Sequence, residues 1–435
     1  MIYLDHNATT PLCQPAWEAM QPYLRLHYGN PSSVHRAGRE ARAAIDNARD
    51  ELAALLRVRP NELIFTGGGT EANNLALLGL ARKLAPNGKH LISNRAEHHA
   101  VFRALDHLQD REDFEVTWLN VSHDGLIDPD ELTAAIRPDT ILVSIMTANN
   151  ETGVIQPMEE IAARCRERGV LLHSDMVQAF AKSLGKTHAV IPSEAEGAVE
   201  GSRGAAVKSE SQNITSFLEI RQDPSAPLRS ARDDGTWGSW FGDLRPDAAS
   251  FAAHKFYGPK GAGLLYLRGG LPIDSIHFGG AHENERRPGT ENVAAIAGMA
   301  AAAKFILENQ PNESALRDQL WRGLVEAFPA ARQNGLTAPR LTNTLNVSFP
   351  GYSSETLLIA LDLEGVCASS GSACMVGSVV ASHVLLAMGL PMEEAGSAIR
   401  FSLGKDTTAA EIDQTIAILG RIFARRAAHP PHALV

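Results

Sequence analysis

Short apolar runs alternate along this chain with longer segments in which apolar residues recur at helical spacing. The short runs predict buried strands, because almost no polar position interrupts them. They are ELIF (62–65), HLIS (90–93), ILVSIM (141–146), VLLHSD (170–175), AASFA (248–252) and AGLLYL (262–267). This alternation of strands and helices predicts an α/β fold, with a mostly parallel sheet covered by helices on both faces.

The pattern changes after about residue 310, where helices are followed by the strands TNTLNVSF and AIRFSLG. This part is α+β in character, and the short strand IYLDH at the start of the chain is expected to join it. We therefore predict a large domain over residues 16–310 and a smaller one formed by residues 1–15 and 311–435. Residues 187–236 are rich in Ser, Gly, Glu, Arg and Ala without periodicity, so we predict a mobile surface insertion there.

Composition limits the class of protein. The chain has 435 residues, of which 44% are hydrophobic and 21% charged, as in an ordinary soluble globular protein. Its net charge of −10 argues against a nucleic-acid or membrane-surface binder. There is no secretory signal pattern and no apolar run of the roughly 18 residues that span a bilayer. The four cysteines show neither zinc spacing nor a disulfide framework, so we expect no metal and a cytoplasmic location.

Polar groups follow five of the predicted strands. The carboxyl ends of parallel strands lie along one edge of a sheet, where ligands of such folds bind. The groups are the glycine loop FTGGGT (65–70), AEHHAV (96–101), TANNETG (147–153), HSDMVQA (173–179) and AAHKFYGPKG (252–261). Taken alone, each has an ordinary structural explanation: a tight turn, a histidine at a helix start, a loop cap or a solvated lysine.

Together these groups suit one cofactor, pyridoxal 5'-phosphate. Backbone N–H groups of the glycine loop would bind a phosphate at a helix N-terminus, and a histidine would stack on a flat ring. Asp175 would hold the ring nitrogen protonated, and Lys255 would form a Schiff base. A nucleotide P-loop is disfavoured, because no Gly-Lys-Ser/Thr follows the glycines.

Ten motifs then resemble one family in the order in which they occur. They are YLDHNATTP, GNPSSVHRAG, GGTEANNLA, AEHHAV, NNETG, HSDMVQ, HKFYGPKG, RRPGTENV, SSGSAC and IRFSLG. The chain looks like a cysteine desulfurase, a class V pyridoxal-phosphate enzyme with the type I transferase fold. SSGSAC resembles the subgroup that serves iron–sulfur cluster assembly.

The resemblance implies a role for each matching position. Lys255 is the Schiff-base lysine, His98 stacks on the ring, Asp175 pairs with the ring nitrogen, and Gln178 bonds the phenolic oxygen. Phosphate ligands are Gly69, Thr70, His254 and, from the second subunit of a homodimer, Thr290. Asn150 and Arg400 bind the substrate carboxylate. Cys374 is the nucleophile, which takes sulfur from L-cysteine as a persulfide, leaves L-alanine and delivers the sulfur to an acceptor or an iron–sulfur scaffold protein. A transient iron–sulfur contact at Cys374 is the one metal contact the resemblance allows.

The sequence departs from the family pattern in three places. Ala252 stands where a phosphate-binding serine is usual, the predicted insertion separates Asp175 from Lys255, and the tail does not resemble a scaffold-docking tail. Three other interpretations remain: a selenocysteine lyase or another class V enzyme, a non-catalytic relative that binds a partner, and a buried structural role for Cys374. Cys367, beside the apolar LEGV, fits burial better than Cys374 does.

Overall fold

A computed structural model describes residues 1–180, 182, 241–242, 244–371 and 381–428 of the chain. Its helices are Gln14–Arg25 (α1), Arg36–Leu56 (α2), Gly69–Leu84 (α3), His99–Glu112 (α4), Pro129–Ala135 (α5), Met158–Arg168 (α6), Val293–Asn309 (α7), Ser314–Ala327 (α8), Ser354–Leu363 (α9), His383–Ala387 (α10), Met392–Ala395 (α11) and Ala409–Ala428 (α12). Its strands are Ile2–Tyr3 (β1), Leu63–Thr66 (β2), His90–Asn94 (β3), Glu115–Leu119 (β4), Thr140–Ser144 (β5), Leu171–Asp175 (β6), Ala248–Ala252 (β7), Gly263–Leu267 (β8), Arg332–Gln333 (β9), Thr344–Ser348 (β10), Val366–Cys367 (β11) and Ala398–Ser402 (β12).

Seven strands form one sheet in the order β2-β8-β7-β6-β5-β3-β4. All of them run in the same direction except β8, which is antiparallel to both β7 and β2. The six predicted strands are confirmed with shifts of one or two residues at their ends, and their residues are buried throughout. The carboxyl ends of β2, β3, β5, β6 and β7 therefore lie along one edge, as the α/β interpretation requires.

The strand β4 was not predicted. Among the described residues it is paired with β3, at one edge of the sheet, and its first residue, Glu115, is exposed. Polar residues of β4 can face solvent because the strand lies at the edge of the sheet. Its apolar run is therefore too short for the strand to be predicted from the sequence. The sequence EVTWL therefore lacks the continuous apolar character of the central strands.

The predicted α+β part forms two small sheets. In one, β10 lies between β12 and β9 with antiparallel pairing; in the other, β1 pairs in parallel with β11. Ile2 and Leu4 pack in one core cluster with residues of α8, α9 and α12. The start of the chain therefore packs against its last 120 or so residues, as the sequence pattern indicated. Cys367 on β11 is only partly buried, so the expectation of burial was wrong: its two-residue strand lies at the rim of this cluster.

Helices cover both faces of the large sheet. The face carrying Leu91, Leu142 and Leu265 packs with residues of α3 and α4, and the opposite face packs with residues of α2, α6 and α7. The alanine-rich run predicted as a packed helix is α7, which packs against α1 and α2. None of the described helices is long and apolar enough to cross a membrane.

Two predicted features lie outside the described residues: the insertion at 187–236 and the segment that contains Cys374.

Gly263 is required where β8 meets the glycine loop. A Cβ added there would lie 2.5 Å from the carbonyl carbon of Gly68. We expect Gly263→Ala to lower the free energy of unfolding by about 2 kcal/mol, because backbone on both sides must move. The matched control is Gly420→Ala in α12, where the new Cβ would lie 3.9 Å from Ala327. Alanine favours a helix, so this control should gain about 0.5 kcal/mol. Urea titration measures both, and equal stabilities of the two variants would contradict the prediction.

Candidate active site

The carboxyl edge of the large sheet opens into a cavity of about 240 Å³. Its wall includes nine of the residues predicted from the sequence, which come from five strand ends and from β12. They are Gly69, Thr70, His98, Asn150, Asp175, Gln178, His254, Lys255 and Arg400. Lys255 and Asp175, which are 80 positions apart in the chain, thus face the same small space.

Lys255 lies on a single 3-10 turn, Ala253–Lys255, directly after β7. Its Nζ donates to the carbonyl oxygens of Asn7 (2.7 Å) and Ala8 (2.8 Å). Gly258 packs closely on this turn, since an added Cβ would lie 2.9 Å from both the Cβ and the carbonyl oxygen of Ala253. The amine is therefore held at the cavity wall by backbone atoms of the N-terminal segment.

Asp175 ends β6 and is 5% exposed. Its Oδ2 accepts from Nδ2 of Asn73 at 2.6 Å, and its Oδ1 accepts from the N–H of Val177 at 2.9 Å. These two bonds offset part of the cost of placing a carboxylate at the end of an apolar strand. The carboxylate is thus fixed in direction, with its position set by both β6 and α3.

His98 is the N-cap residue of α4, and its Nδ1 accepts from the N–H of Ala100 at 3.1 Å. Burial lowers the pKa of His98, although the charge of Asp175 opposes the effect. A neutral imidazole follows at pH 7. Because the cap fixes one ring nitrogen, the ring is held as a flat surface on the cavity wall.

The glycine loop leaves the first turn of α3 open. The N-cap, Gly68, has φ of +154° and supplies no side-chain cap, so the N–H groups that begin the helix are not closed off by a side chain. A Cβ on Gly69 would lie 2.7 Å from Cγ2 of Val177 and 3.3 Å from Cβ of Ala252. Glycine therefore lets the start of α3 pack closely against Val177 and Ala252, and the uncapped N–H groups of this turn suit an anion.

Arg400 is 2% exposed, and its guanidinium is already engaged. Its Nη2 pairs with Oδ1 of Asp5 at 2.7 Å, and its Nη1 donates to the carbonyl oxygens of Asn150 (3.0 Å) and Gly371 (2.9 Å). Its Nε is buried and has no hydrogen-bond partner among the described residues. A carboxylate ligand would thus contact a guanidinium group whose orientation is fixed and which already forms an ion pair with Asp5.

The structure places one predicted residue away from this cavity and does not describe another. Thr290 is exposed and does not line it within one chain, and Cys374 lies outside the described residues.

Sequence reasoning missed three residues that shape the site. Asn73 bonds Asp175, Asn7 supplies the carbonyl that holds Lys255, and Lys182 donates to the side chains of both Asn7 and Gln178. Asn73 and Asn7 lie inside the motifs GGTEANNLA and YLDHNATTP, so an asparagine within each motif was the available signal. No sequence pattern marked Lys182.

Comparison with known proteins indicates the same family as the sequence motifs do. The family model described as Aminotransferase class-V matches residues 2–187 and 241–415. The chain belongs to the aminotransferase class-V family. A protein named cysteine desulfurase IscS from Dictyoglomus turgidum is 38% identical over 97% of this chain and 94% of its own length. Cysteine desulfurase 2 from Trichormus variabilis is 38% identical over 99% of this chain and 95% of its own length.

Solved structures agree with this class V assignment. A NifS-like protein aligns with a TM-score of 0.78 and 32% identity, covering 98% of this chain and 99% of its own. The structure described as SspA in complex with cysteine aligns with a TM-score of 0.71 and 29% identity, covering 94% of this chain and 100% of its own. The predicted fold class is therefore confirmed.

His254 gives a pH test of the electrostatics of this class V site. Burial, followed by the charges of Lys255, Lys260 and Lys182, lowers the pKa of His254 to about 4. The folded-state pKa is below the unfolded value of about 6.5. Stability from the neutral ring is therefore complete above pH 6.5 and is lost as the pH falls towards 4.

In protein labelled with ¹³Cε1-histidine, we expect the His254 resonance to keep its chemical shift from pH 8 to pH 5.5, without added ligand. His254→Asn assigns the signal, and the urea-unfolded chain supplies the normal titration. A midpoint near pH 6.5 in the folded protein would contradict the prediction.

Proposed function

We propose that this protein is a pyridoxal-phosphate-dependent cysteine desulfurase. It converts L-cysteine to L-alanine and passes the sulfur, as a persulfide on Cys374, to an acceptor for iron–sulfur cluster or other sulfur-cofactor synthesis. The supporting observation is that an amine, a carboxylate and an open helix N-terminus, from Lys255, Asp175 and α3, line one cavity. The names of relatives at 35–38% identity over nearly the whole chain point the same way.

The described residues fit the cofactor. The N–H groups at the start of α3, which no side chain caps, suit a phosphate, and Gly69, Thr70 and His254 line the cavity beside them. Nδ2 of Asn73 donates to Asp175, but Oδ1 of Asn73 is buried and has no donor among the described residues. The cavity wall therefore has one more hydrogen-bond acceptor that a ligand could use. His98 supplies the flat face and Gln178 a side-chain amide. Asp175 would hold a proton on the ring nitrogen.

Pyridoxal phosphate, when bound, supplies an aldehyde for an amine and a ring that accepts electron density from the substrate α-carbon. Lys255 Nζ would bind that aldehyde at rest and, once released, would remove the α-proton of cysteine. Arg400 and Asn150 would orient the substrate carboxylate. The Cys374 thiolate would attack the substrate sulfur: a sulfur–sulfur bond forms, and the carbon–sulfur bond breaks with its electron pair left on carbon. One proton then replaces sulfur on the β-carbon, and one returns to the α-carbon, which gives alanine.

We further propose a cytoplasmic homodimer that does not use nucleic acid or membrane as a partner. Tyr28, Val34 and Phe278 are 83%, 88% and 99% exposed in the single chain, and such large side chains suit a subunit interface. The exposed Thr290 would then reach the phosphate site of the second subunit. We also propose the two-domain division at residues 1–15 with 311–435 and 16–310, supported by the packing of Ile2 and Leu4 with C-terminal helices.

The second candidate is a selenocysteine lyase or another class V enzyme. The SspA neighbour is described in complex with cysteine, which favours cysteine as the substrate class. Parallel assays of alanine release from cysteine and from selenocysteine decide between the two.

The paired variants Cys374→Ala and Lys255→Ala separate the two proposed steps. Cys374→Ala should lose at least about a thousandfold in sulfide release, because the nucleophile is gone, yet bind pyridoxal phosphate as the wild type does. Lys255→Ala should lose both turnover and the covalent link, seen as loss of cofactor fixation by borohydride. Full turnover in Cys374→Ala, or an unchanged visible spectrum in Lys255→Ala, would overturn the assignments.

The dimer is tested by Phe278→Asp, which should move the chain from dimer to monomer in sedimentation equilibrium. A buried, unpaired carboxylate is costly at an apolar interface. The control is Met392→Asp, on a 63% exposed side chain elsewhere on the surface, which should leave the dimer intact. A wild-type protein that sediments as a monomer contradicts the proposal.

A further inference from the structure

A second lysine lies behind the wall that carries Lys255. Nζ of Lys182 donates to Oε1 of Gln178 at 2.9 Å and to Oδ1 of Asn7 at 3.0 Å. Lys182 and Lys255 also line one small enclosed space, together with His6 and Glu313. The mechanism proposed above gives this lysine no part.

An ammonium group only donates hydrogen bonds, whereas a side-chain amide has a donor end and an acceptor end. Lys182 therefore forces both amides to turn their oxygens towards it. This contact helps to determine which end of each amide, the oxygen or the nitrogen, faces Lys182 in Gln178 and in Asn7. The shape of an amide group alone does not distinguish its two ends.

The orientation of Gln178 has a direct consequence for the cavity. With Oε1 held by Lys182, Nε2 faces the opposite way and donates one N–H to the carbonyl oxygen of Asn7 at 2.9 Å. That carbonyl also accepts from Lys255 at 2.7 Å. Because Nε2 carries two N–H groups and Gln178 lines the cavity, the second remains for an acceptor there. A reversed amide would place its oxygen against the Asn7 carbonyl.

The orientation of Asn7 also affects the residues predicted to bind the substrate carboxylate. Its Oδ1 also accepts from Nδ2 of Asn343 at 3.1 Å, so its own Nδ2 is free to donate to the carbonyl oxygen of Asn150 at 3.2 Å and to Oγ1 of Thr344 at 2.9 Å. The Asn150 carbonyl is the same atom that accepts from Arg400. Lys182, together with the Asn7 carbonyl and Asn343, thus sets the hydrogen-bond direction of two amides that contact the predicted cofactor and substrate residues.

The charges around Lys182 are mostly positive. Burial, then the charge of Lys255, lowers the pKa of Lys182 to about 7; Glu313 opposes this and Arg400 adds to it. Burial and then Lys182 lower the pKa of His6 to about 4, and Lys182 also contributes to the lowered pKa of His254. Placing an ammonium group among these positive charges is unfavourable. The hydrogen bonds to the Gln178 and Asn7 amides therefore stabilise the charged form of Lys182 at this position.

We propose that Lys182 is a positioning residue: it orients the Gln178 amide to present an N–H to the cofactor's phenolic oxygen, and it orients the Asn7 side chain towards Asn150. The proposal rests on the proposed function for the identity of the cofactor. It does not depend on which amino acid is the substrate.

The test uses the full-length protein loaded with pyridoxal phosphate, and measures the pH midpoint of its visible absorption band and the cofactor dissociation constant. K182M removes the donor and the charge at nearly constant length. Loss of the N–H bond and of a nearby cation both disfavour the deprotonated form, so the midpoint should rise by about one pH unit. The cofactor dissociation constant should increase about tenfold, which corresponds to the loss of one hydrogen bond of ordinary net strength.

Three comparisons separate positioning from a merely structural role. K182R keeps a donor-only cation and should restore the midpoint to within about 0.3 units of wild type. K83M removes a surface lysine that pairs with Asp274 and should change nothing. Because Lys182 acts through Gln178, K182M should shift the midpoint less in a Q178L background than in the wild type.

An unchanged midpoint in K182M, or equal K182M shifts with and without Gln178, overturns the proposal. If K182M is insoluble, K182Q serves instead, with a smaller upward shift expected and no shift overturning the proposal. A protein that shows these shifts but makes no alanine from cysteine would contradict the proposed function and leave this inference standing. A wild-type protein that does not bind pyridoxal phosphate overturns both.

Discussion

The hydrogen bonds between Lys255 and the carbonyl oxygens of Asn7 and Ala8 join the parts of the chain that the site needs. Lys255 belongs to the large sheet, whereas Asn7 follows the first strand of the small part. The Asn7 N–H donates to Oγ of Ser402 on β12 at 2.9 Å, and its side chain reaches Thr344 on β10. The N-terminal segment is thus held between the two sheets. This segment is therefore one link between Lys255 and the strand that carries Arg400, and the bond from Arg400 to the Asn150 carbonyl oxygen is another.

Buried charge is the second constraint on this region. Burial raises the pKa of Glu97 well above its usual range, and raises the pKa of Glu151 despite the hydrogen bond that Ser382 Oγ donates to it. By contrast, Asp175 and Arg400 each have two or more oriented partners. The site therefore keeps its ionic groups where hydrogen bonds from neighbouring elements replace water. Glu97 and Glu151 each leave one buried carboxylate oxygen without a donor among the described residues, whereas both oxygens of Asp175 accept a hydrogen bond.

The sequence predicted the elements whose signal is local. Continuous apolar runs identified six buried strands, and the residues just after five of them lie at one cavity because parallel strands end at one edge. The edge strand β4 and the helix α12 were not predicted, since the first is partly polar and the second was not separated from the tail. The role of Asn73 and the bonds that join Asn7 to Lys255 and Lys182 depend on contacts across roughly 100 to 250 positions, for example 102 between Asn73 and Asp175 and 248 between Asn7 and Lys255. Lys182 lies only four positions from Gln178, but no motif includes it. No local pattern records such distances; the family resemblance supplied the matching motifs but not these partners.

The alanine at position 252 shows how such a site tolerates a departure from the family pattern. Ala252 is 1% exposed and lies 3.3 Å from where a Cβ on Gly69 would be, so it forms part of the floor beneath the glycine loop. A hydroxyl there would add one hydrogen bond, worth about 0.5–1.5 kcal/mol net. The remaining groups of the loop are backbone N–H donors at the start of a helix of 16 residues, and their direction is set by the fold rather than by any side chain. Loss of one hydroxyl weakens such a site by a single bond, whereas a side chain at Gly69 would close it.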